Sequence, residues 1–345
     1  MMRPPEEDPN QPYPNVRSAL MLTMLAILAA GFTGMAFIDF GLLAAVGIGQ
    51  AIGVGAVATM GAQRVPEPQA ARLGLRGLDL ESIPLILCLV PAILLASELD
   101  NIAVDWVGSD SKIELGLSVE PGDPVATRES RSAYDDPTEP IPATEQEAWA
   151  DDPEDYDGLG SEEAPEDAAP LKLVDADDPA SVLQAFVVIV GISPIVEEFL
   201  FRGVIQQGLV QRLGLVRGIS VVALLWTLLR PAPVTGFARF AAAALASFAL
   251  GWALGITRIA TGSILGPILL ASGWAAIGLA ALVLEGRIDL PGMNVDGTHL
   301  PLLVTLASLG MVTWAGRTIF QEAEKRFAQV DTPERTISDD PPQAD

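Results

Sequence analysis

Apolar residues in this chain run in long unbroken blocks instead of alternating or recurring at helical spacing. Eight such blocks stand out, at 18–38, 41–62, 83–99, 181–209, 216–230, 236–258, 262–284 and 300–320. They are too long and too free of charge for a soluble core. A helix that crosses a bilayer needs about 20 mostly apolar residues, with a range of about 17–25. The third and fifth blocks are short by that measure. The pattern therefore predicts an all-α, polytopic membrane bundle of about eight transmembrane helices, with six or seven as the fallback. The first block follows Glu6, Glu7 and Asp8 and has no clear small-residue cleavage site, so it reads as a retained helix and not a signal peptide. Glycines spaced by four, Gly49 and Gly53, Gly251 and Gly255, Gly262 and Gly266, permit close helix approach, with packing inside the bundle preferred over oligomerisation.

Composition changes this picture only when divided by position. The 345 residues are 50% apolar, yet carry a formal net charge of -24. Residues 110–178 hold 22 acids against 4 bases, and the ends 1–16 and 321–345 contribute -2 and -4; the remainder has 12 of each and is neutral. The acidic stretch is rich in Pro, Ala and Ser and poor in large apolar residues, too little to offset the entropy of ordering. Five regions follow: a disordered tail 1–16, helices one to three over 17–107, a disordered acidic outer loop 108–178, helices four to eight over 179–320, and a disordered acidic tail 321–345 that opens as a short helix end. Within the loop, DDPEDYDGLGSEE (151–163) has a faint likeness to a calcium loop. It fails, because Pro153 and Ala164 fall at ligand positions one and twelve.

The same accounting excludes whole classes. The sign and distribution of charge exclude a nucleic-acid partner. A single cysteine, Cys88, excludes a disulfide-stapled module, and a single histidine, His299, limits imidazole chemistry to one ring. Short-loop Lys and Arg set orientation. Arg3, Arg17, Arg64, Arg72, Arg76, Arg212, Arg217, Arg258, Arg317, Lys325, Arg326 and Arg335 fall on one side, and only Arg230, Arg239 and Arg287 on the other. The expectation is a multi-pass protein of the cell membrane with both termini cytoplasmic.

The chemistry concentrates in SPIVEEFLFRGVIQQGL, residues 193–209. Ionisable groups within the hydrocarbon layer cost about 2.5–3.5 kcal/mol each on insertion scales, so they mark a site or an internal pair. Glu198 and Arg202 are four apart with the glutamate first, which suits a salt bridge. Glu197 points about 100° away and has no partner in its own helix. A lone carboxylate at that depth needs a cation, a metal, a proton, or work as a general base.

EEFLFRG resembles the first motif of the CPBP intramembrane proteases, the CAAX prenyl endopeptidase, bacteriocin-processing and Abi-like group: two glutamates, then arginine four positions after the second. GLRGLDL (74–80) and GWALGITRIATGSILGPILL (251–270) extend the resemblance over most of 72–284, apart from the acidic stretch. The resemblance implies an intramembrane endopeptidase with two further motifs, Phe-x-x-x-His and His-x-x-x-Asn or Asp, that hold a metal or polarise a water while a first-motif glutamate acts as base. Here those motifs fall on WTLLR and ASGWA, so Trp226 takes the Phe position, Arg230 the first His, Ala271 the second His and Ala275 the amide or acid. At about 1.5 Å per helical residue, Glu197, Arg230, Ala271 and Ala275 lie about 18, 21, 14 and 20 Å from the cytoplasmic ends of their segments. They share one layer, so the ligands are truly replaced.

His299 lies past the seventh segment in GMNVDGTHLP and reads as an exposed interfacial residue, not a substitute ligand. Glu98, Asp100 and Asp105 read as the outer interface of the third block, with Glu98 alone able to face the cavity. An imidazole zinc site needs more than this, so no metal or cofactor is expected. Two readings stand. In the first, the protein is a degenerate family member acting as a scaffold for a membrane protein or peptide partner, with Arg230 pairing with Glu197 and Arg202 with Glu198. In the second, Glu197, Glu198 and Arg202 are catalytic residues of a working endopeptidase, with zinc as cofactor. Transport or proton relay is a lesser alternative.

Overall fold

In a computed structural model, the structure describes residues 12–114, 174–230, 237–295 and 297–331. The eight apolar blocks are all helical: α1 (Val16–Ala36), α2 (Leu42–Ala62), α3 (Leu80–Trp106), α4 (Pro179–Leu213), α5 (Leu215–Leu229), α6 (Phe237–Thr261), α7 (Leu265–Leu284) and α8 (Leu302–Asp331). Seven are long and apolar enough to cross a membrane, and α5, at 15 residues, is the short one. The described residues contain no strand beyond an isolated bridge between Pro291 and Val295. The chain is thus an all-α membrane bundle.

Local signals set the helix ends. Asn15 caps α1, its Oδ1 accepting from Ser18 N at 2.8 Å. Asp178 caps α4 by accepting from Ala180 N and Ser181 N, and Pro179 occupies the first turn, where a missing N–H costs nothing. Gly74 and Gly262, at φ +74° and +62°, end the short helix Gln69–Leu73 and α6 in the left-handed conformation that closes helix C-termini.

Two expected boundaries shift. The helix of α3 continues as Ala92–Glu114, into the stretch expected to be disordered from 108, and no proline interrupts the chain until Pro121. The tail expected from 321 is helical as far as Asp331, because QEAEKRFAQ is made of helix formers and Glu322 pairs with Lys325 and Arg326 one turn on. The rest of the acidic loop, 115–173, with its calcium-like stretch, and the tails 1–11 and 332–345 lie outside the described residues.

The two ends of the bundle can be told apart by their contacts. Arg212 Nε donates to Pro12 O at 2.8 Å, and Arg326 Nη1 donates to Thr261 O at 2.9 Å, so the start of α1 and the ends of α4, α6 and α8 share one end. At the other, Ser97 Oγ and Asn101 Nδ2 donate to Gly292 O, Arg239 pairs with Asp100, and Arg287 pairs with Asp177. Glycines allow the closest packing: a Cβ on Gly53 would sit 2.6 Å from the Ala29 carbonyl of α1, and one on Gly255 would sit 2.6 Å from Ile219 of α5. These spacings serve contacts within the chain.

The intramembrane carboxylate site

Helix α4 is not uniform. Residues Ser193–Glu198 are α-helical and lie between two π-helical stretches, Phe186–Ile192 and Phe199–Ile205. Such wide turns, rare elsewhere, recur at functional sites. The two glutamates therefore end a short regular segment, and they diverge to different neighbours.

Glu198 and Arg202 are both fully buried, and Arg202 Nη1 donates to Glu198 Oε1 at 2.7 Å. Arg202 Nη2 reaches across to α6 and donates to Gly251 O at 2.9 Å. One turn further on, Gln206 Nε2 donates to Gly255 O at 2.8 Å. Two side chains four apart on α4 thus meet two carbonyls four apart on α6, each the carbonyl of a glycine whose bare face packs against α5. Glu198 Oε2 and Arg202 Nε remain buried without a hydrogen-bond partner among the described residues.

Glu197, 5% exposed, turns to α5. Its Oε2 accepts from Arg230 Nη2 at 2.7 Å and from Trp226 Nε1 at 3.2 Å. The Trp226 ring also carries cations: the guanidinium carbon of Arg230 lies 4.2 Å from its centroid and that of Arg202 5.1 Å. Two carboxylates, two guanidiniums and one indole make a single cluster with no net charge. The pairs Glu198–Arg202 and Glu197–Arg230 are those that the sequence sets opposite each other. Missed were the Gln206–Gly255 bond, the indole donor and the stacked arginines. The i, i+4 match between Arg202–Gln206 and Gly251–Gly255 was the available signal for the first.

Beside the cluster lies a cavity of about 450 Å³. Glu197, Trp226, Arg230, Ala271 and Ala275 all line it, and so does Gln50, whose Oε1 is buried and unpartnered among the described residues. The structure therefore brings every aligned motif position except the Glu198–Arg202 pair onto one wall. The donor set does not fit a divalent cation. Glu197 already accepts from a guanidinium and an indole, the alanines offer no ligand atom, and no group of three or more His, Cys, Asp or Glu among the described residues is arranged to hold a metal.

His299 belongs elsewhere. Its Nδ1 is 2.7 Å from Glu98 Oε1 and its Nε2 2.8 Å from Asp105 Oδ2, while Glu98 Oε2 accepts from Leu300 N. The hydrogen bonds to Asp105 and then Glu98 raise the imidazole above its ordinary value. This acid–His–acid bridge fixes the loop before α8 to α3. Asp100 pairs instead with Arg239 through two 3.2 Å hydrogen bonds.

A bundle of apolar helices around a buried Glu-Glu-Arg cluster defines a class: polytopic membrane proteins organised on an intramembrane carboxylate pair. Residues 179–277 match the family described as Type II CAAX prenyl endopeptidase Rce1-like. The matched region runs from the start of α4 into α7 and contains every residue of the cluster, so the chain is a membrane protein with a CAAX-protease-like domain. No curated protein and no solved structure matches the chain.

Proposed function

We propose that the protein is a catalytically degenerate relative of the CAAX-type intramembrane endopeptidases that serves as a membrane scaffold or binding partner. The Arg230–Glu197 pair carries this reading. In the family pattern the position of Arg230 belongs to a histidine, which donates a lone pair to a metal or a water. A guanidinium has no lone pair to give, and it repels a divalent cation from the carboxylate it touches. Glu197, held by Arg230 and Trp226 on Oε2, is engaged where a general base would need to meet water. Charge replacement also accounts for the arginine's presence. A buried carboxylate stripped of its metal is costly to leave unpaired, by several kcal/mol on the order of 3–5.

The cavity supports a second reading, a glutamate-dependent endopeptidase. Its volume of about 450 Å³ lies directly against Glu197, and the Arg230 side chain that pairs with the carboxylate is 41% exposed. Glu197 would then activate water, Glu198 and Arg202 would position it, and Arg230 would stabilise the oxyanion.

Cleavage of a quenched fluorescent membrane peptide by the purified protein separates the readings. The scaffold reading expects no turnover that Glu197→Ala removes; Glu197-dependent turnover sinks it. It also expects Arg230→Ala to destabilise the fold and Glu197→Ala to restore part of the loss. The triple replacement Arg230→His, Ala271→His and Ala275→Asn should acquire zinc that the parent does not retain after chelation.

A further inference from the structure

At the end of the bundle that gathers the basic residues there is a second and larger cavity, about 710 Å³, between the short helix Gln69–Leu73 and the last turns of α4, α6 and α8. Four arginines line it, Arg72, Arg76, Arg258 and Arg326, and Glu322 is the one acid among the described lining residues. Val210, Ile259 and Phe327 supply an apolar wall. Arg258 of α6 lies about 10 Å along the helix from Gly251, so this is a separate place from the Glu197 cluster.

The arginines are built in. Arg76 Nε donates to Gly262 O at 2.7 Å, Arg326 Nη1 to Thr261 O at 2.9 Å, and Arg258 Nη2 to Arg72 O at 3.0 Å. Gly74 and Gly262, both in the left-handed conformation, present bare faces on which the guanidiniums of Arg258 and Arg76 sit; a Cβ at either would collide with them. Arg258 is 7% exposed, and its Nε is buried without a partner among the described residues.

The charge around this cavity does not balance. Glu322 supplies one negative charge and the carbonyl ends of the helices that border the cavity offset only part of the rest, which leaves positive charge over. At the opposite end the situation is reversed: Arg230, Arg239 and Arg287 each have a carboxylate, on Glu197, Asp100 and Asp177. Spare N–H groups converge here, because each guanidinium has five and the main chain takes only one or two. Planar forks of this kind match the oxygens of phosphate.

We propose that this cavity is a binding site for a phosphate-class oxyanion, either the headgroup of an anionic lipid or free phosphate. The charge that Arg258 keeps under cover would be met by the oxyanion, and the Val210–Ile259–Phe327 wall would take the glycerol and first acyl carbons of a lipid.

The test uses the full chain in an uncharged detergent. Binding is measured for dioctanoyl phosphatidylglycerol, for uncharged dioctanoylglycerol and for inorganic phosphate. Phosphatidylglycerol should bind and dioctanoylglycerol should not. Arg258→Gln and, separately, Arg72→Gln should each weaken binding about tenfold or more, as expected for loss of a charge-assisted fork. Arg72 is half-buried at the rim, so its variant reads binding even if Arg258→Gln fails to fold. Competition by inorganic phosphate with far weaker affinity identifies a lipid headgroup as the source; equal affinity identifies free phosphate; both support the site. Equal binding of the charged and uncharged lipids overturns it, and so does unchanged affinity in Arg72→Gln. Binding that appears only after deletion of 332–345 also overturns it, since the chain's own acidic tail would then be the occupant.

Discussion

Trp226, which the resemblance sets at the phenylalanine of the second motif, brings an indole N–H to the Glu197 site. That donor reaches Glu197 at 3.2 Å, and the same ring lies against both arginines. Nothing in the spacing of an apolar helix shows a ring edge aimed at a carboxylate 29 residues away in another helix. Glu198 and Arg202 were legible, since a pair at i and i+4 needs only helical geometry. Their burial sharpens a prediction. Removing one member of a fully buried ion pair leaves the other charge uncompensated and costs about 3–5 kcal/mol, whereas replacing both with apolar or neutral groups of similar volume is far milder. Arg202→Met should therefore lower unfolding stability in detergent by that amount, and Glu198→Gln combined with Arg202→Met should recover most of it. Equal losses in the single and double variants would mean that Arg202 acts through its bond to Gly251 O and not through charge.

Among elements, α4, α5 and α6 hold the cluster, and they are joined more tightly than their hydropathy suggests. The apolar blocks fixed where these helices run, because uncharged stretches of that length have few other fates. They did not disclose the π-helical stretches on either side of Ser193–Glu198, since a wide turn leaves no mark on an apolar sequence. Nor did they disclose the use of Gly251 and Gly255. These glycines sit where α5 crosses α6: a Cβ on Gly255 would stand 2.6 Å from Ile219 Cγ2, and one on Gly251 3.0 Å from the Trp226 ring. Overpacking of that kind costs about 1–3 kcal/mol. Gly255→Ala should accordingly destabilise the protein and loosen the Gln206 bond, while Gly310→Ala, where a Cβ meets nothing within 4 Å, should cause no loss. Thermal unfolding of the two variants in the same detergent decides it; equal stability would show that α5 and α6 yield to each other.

For the molecule as a whole, the number of crossings and the position of the ends must agree. α5 is only 15 residues, about 22 Å at 1.5 Å per residue, against a hydrocarbon layer of about 30 Å. Taken alone it is too short for an eighth crossing, and seven crossings would put the two termini on opposite sides. The contacts argue otherwise. Gly218 near the start of α5 packs on Val210, at the end where α4 finishes, whereas Arg239 near the start of α6 pairs with Asp100 at the opposite end. The chain therefore passes from one end to the other between Leu215 and Phe237, and Pro12 and Gln329 fall at one end, as eight traverses require. The four arginines of the larger cavity lie at that same end, for which the distribution of Lys and Arg predicts a cytoplasmic location. Side-specific labelling can test the assignment, because the chain has a single cysteine. In a Cys88→Ala background, Asp289→Cys should react with a membrane-impermeant maleimide on intact cells, and Lys325→Cys only after permeabilisation. The reverse pattern would either invert the protein in the membrane or remove α5 from the crossings, and labelling of both from outside would remove α8.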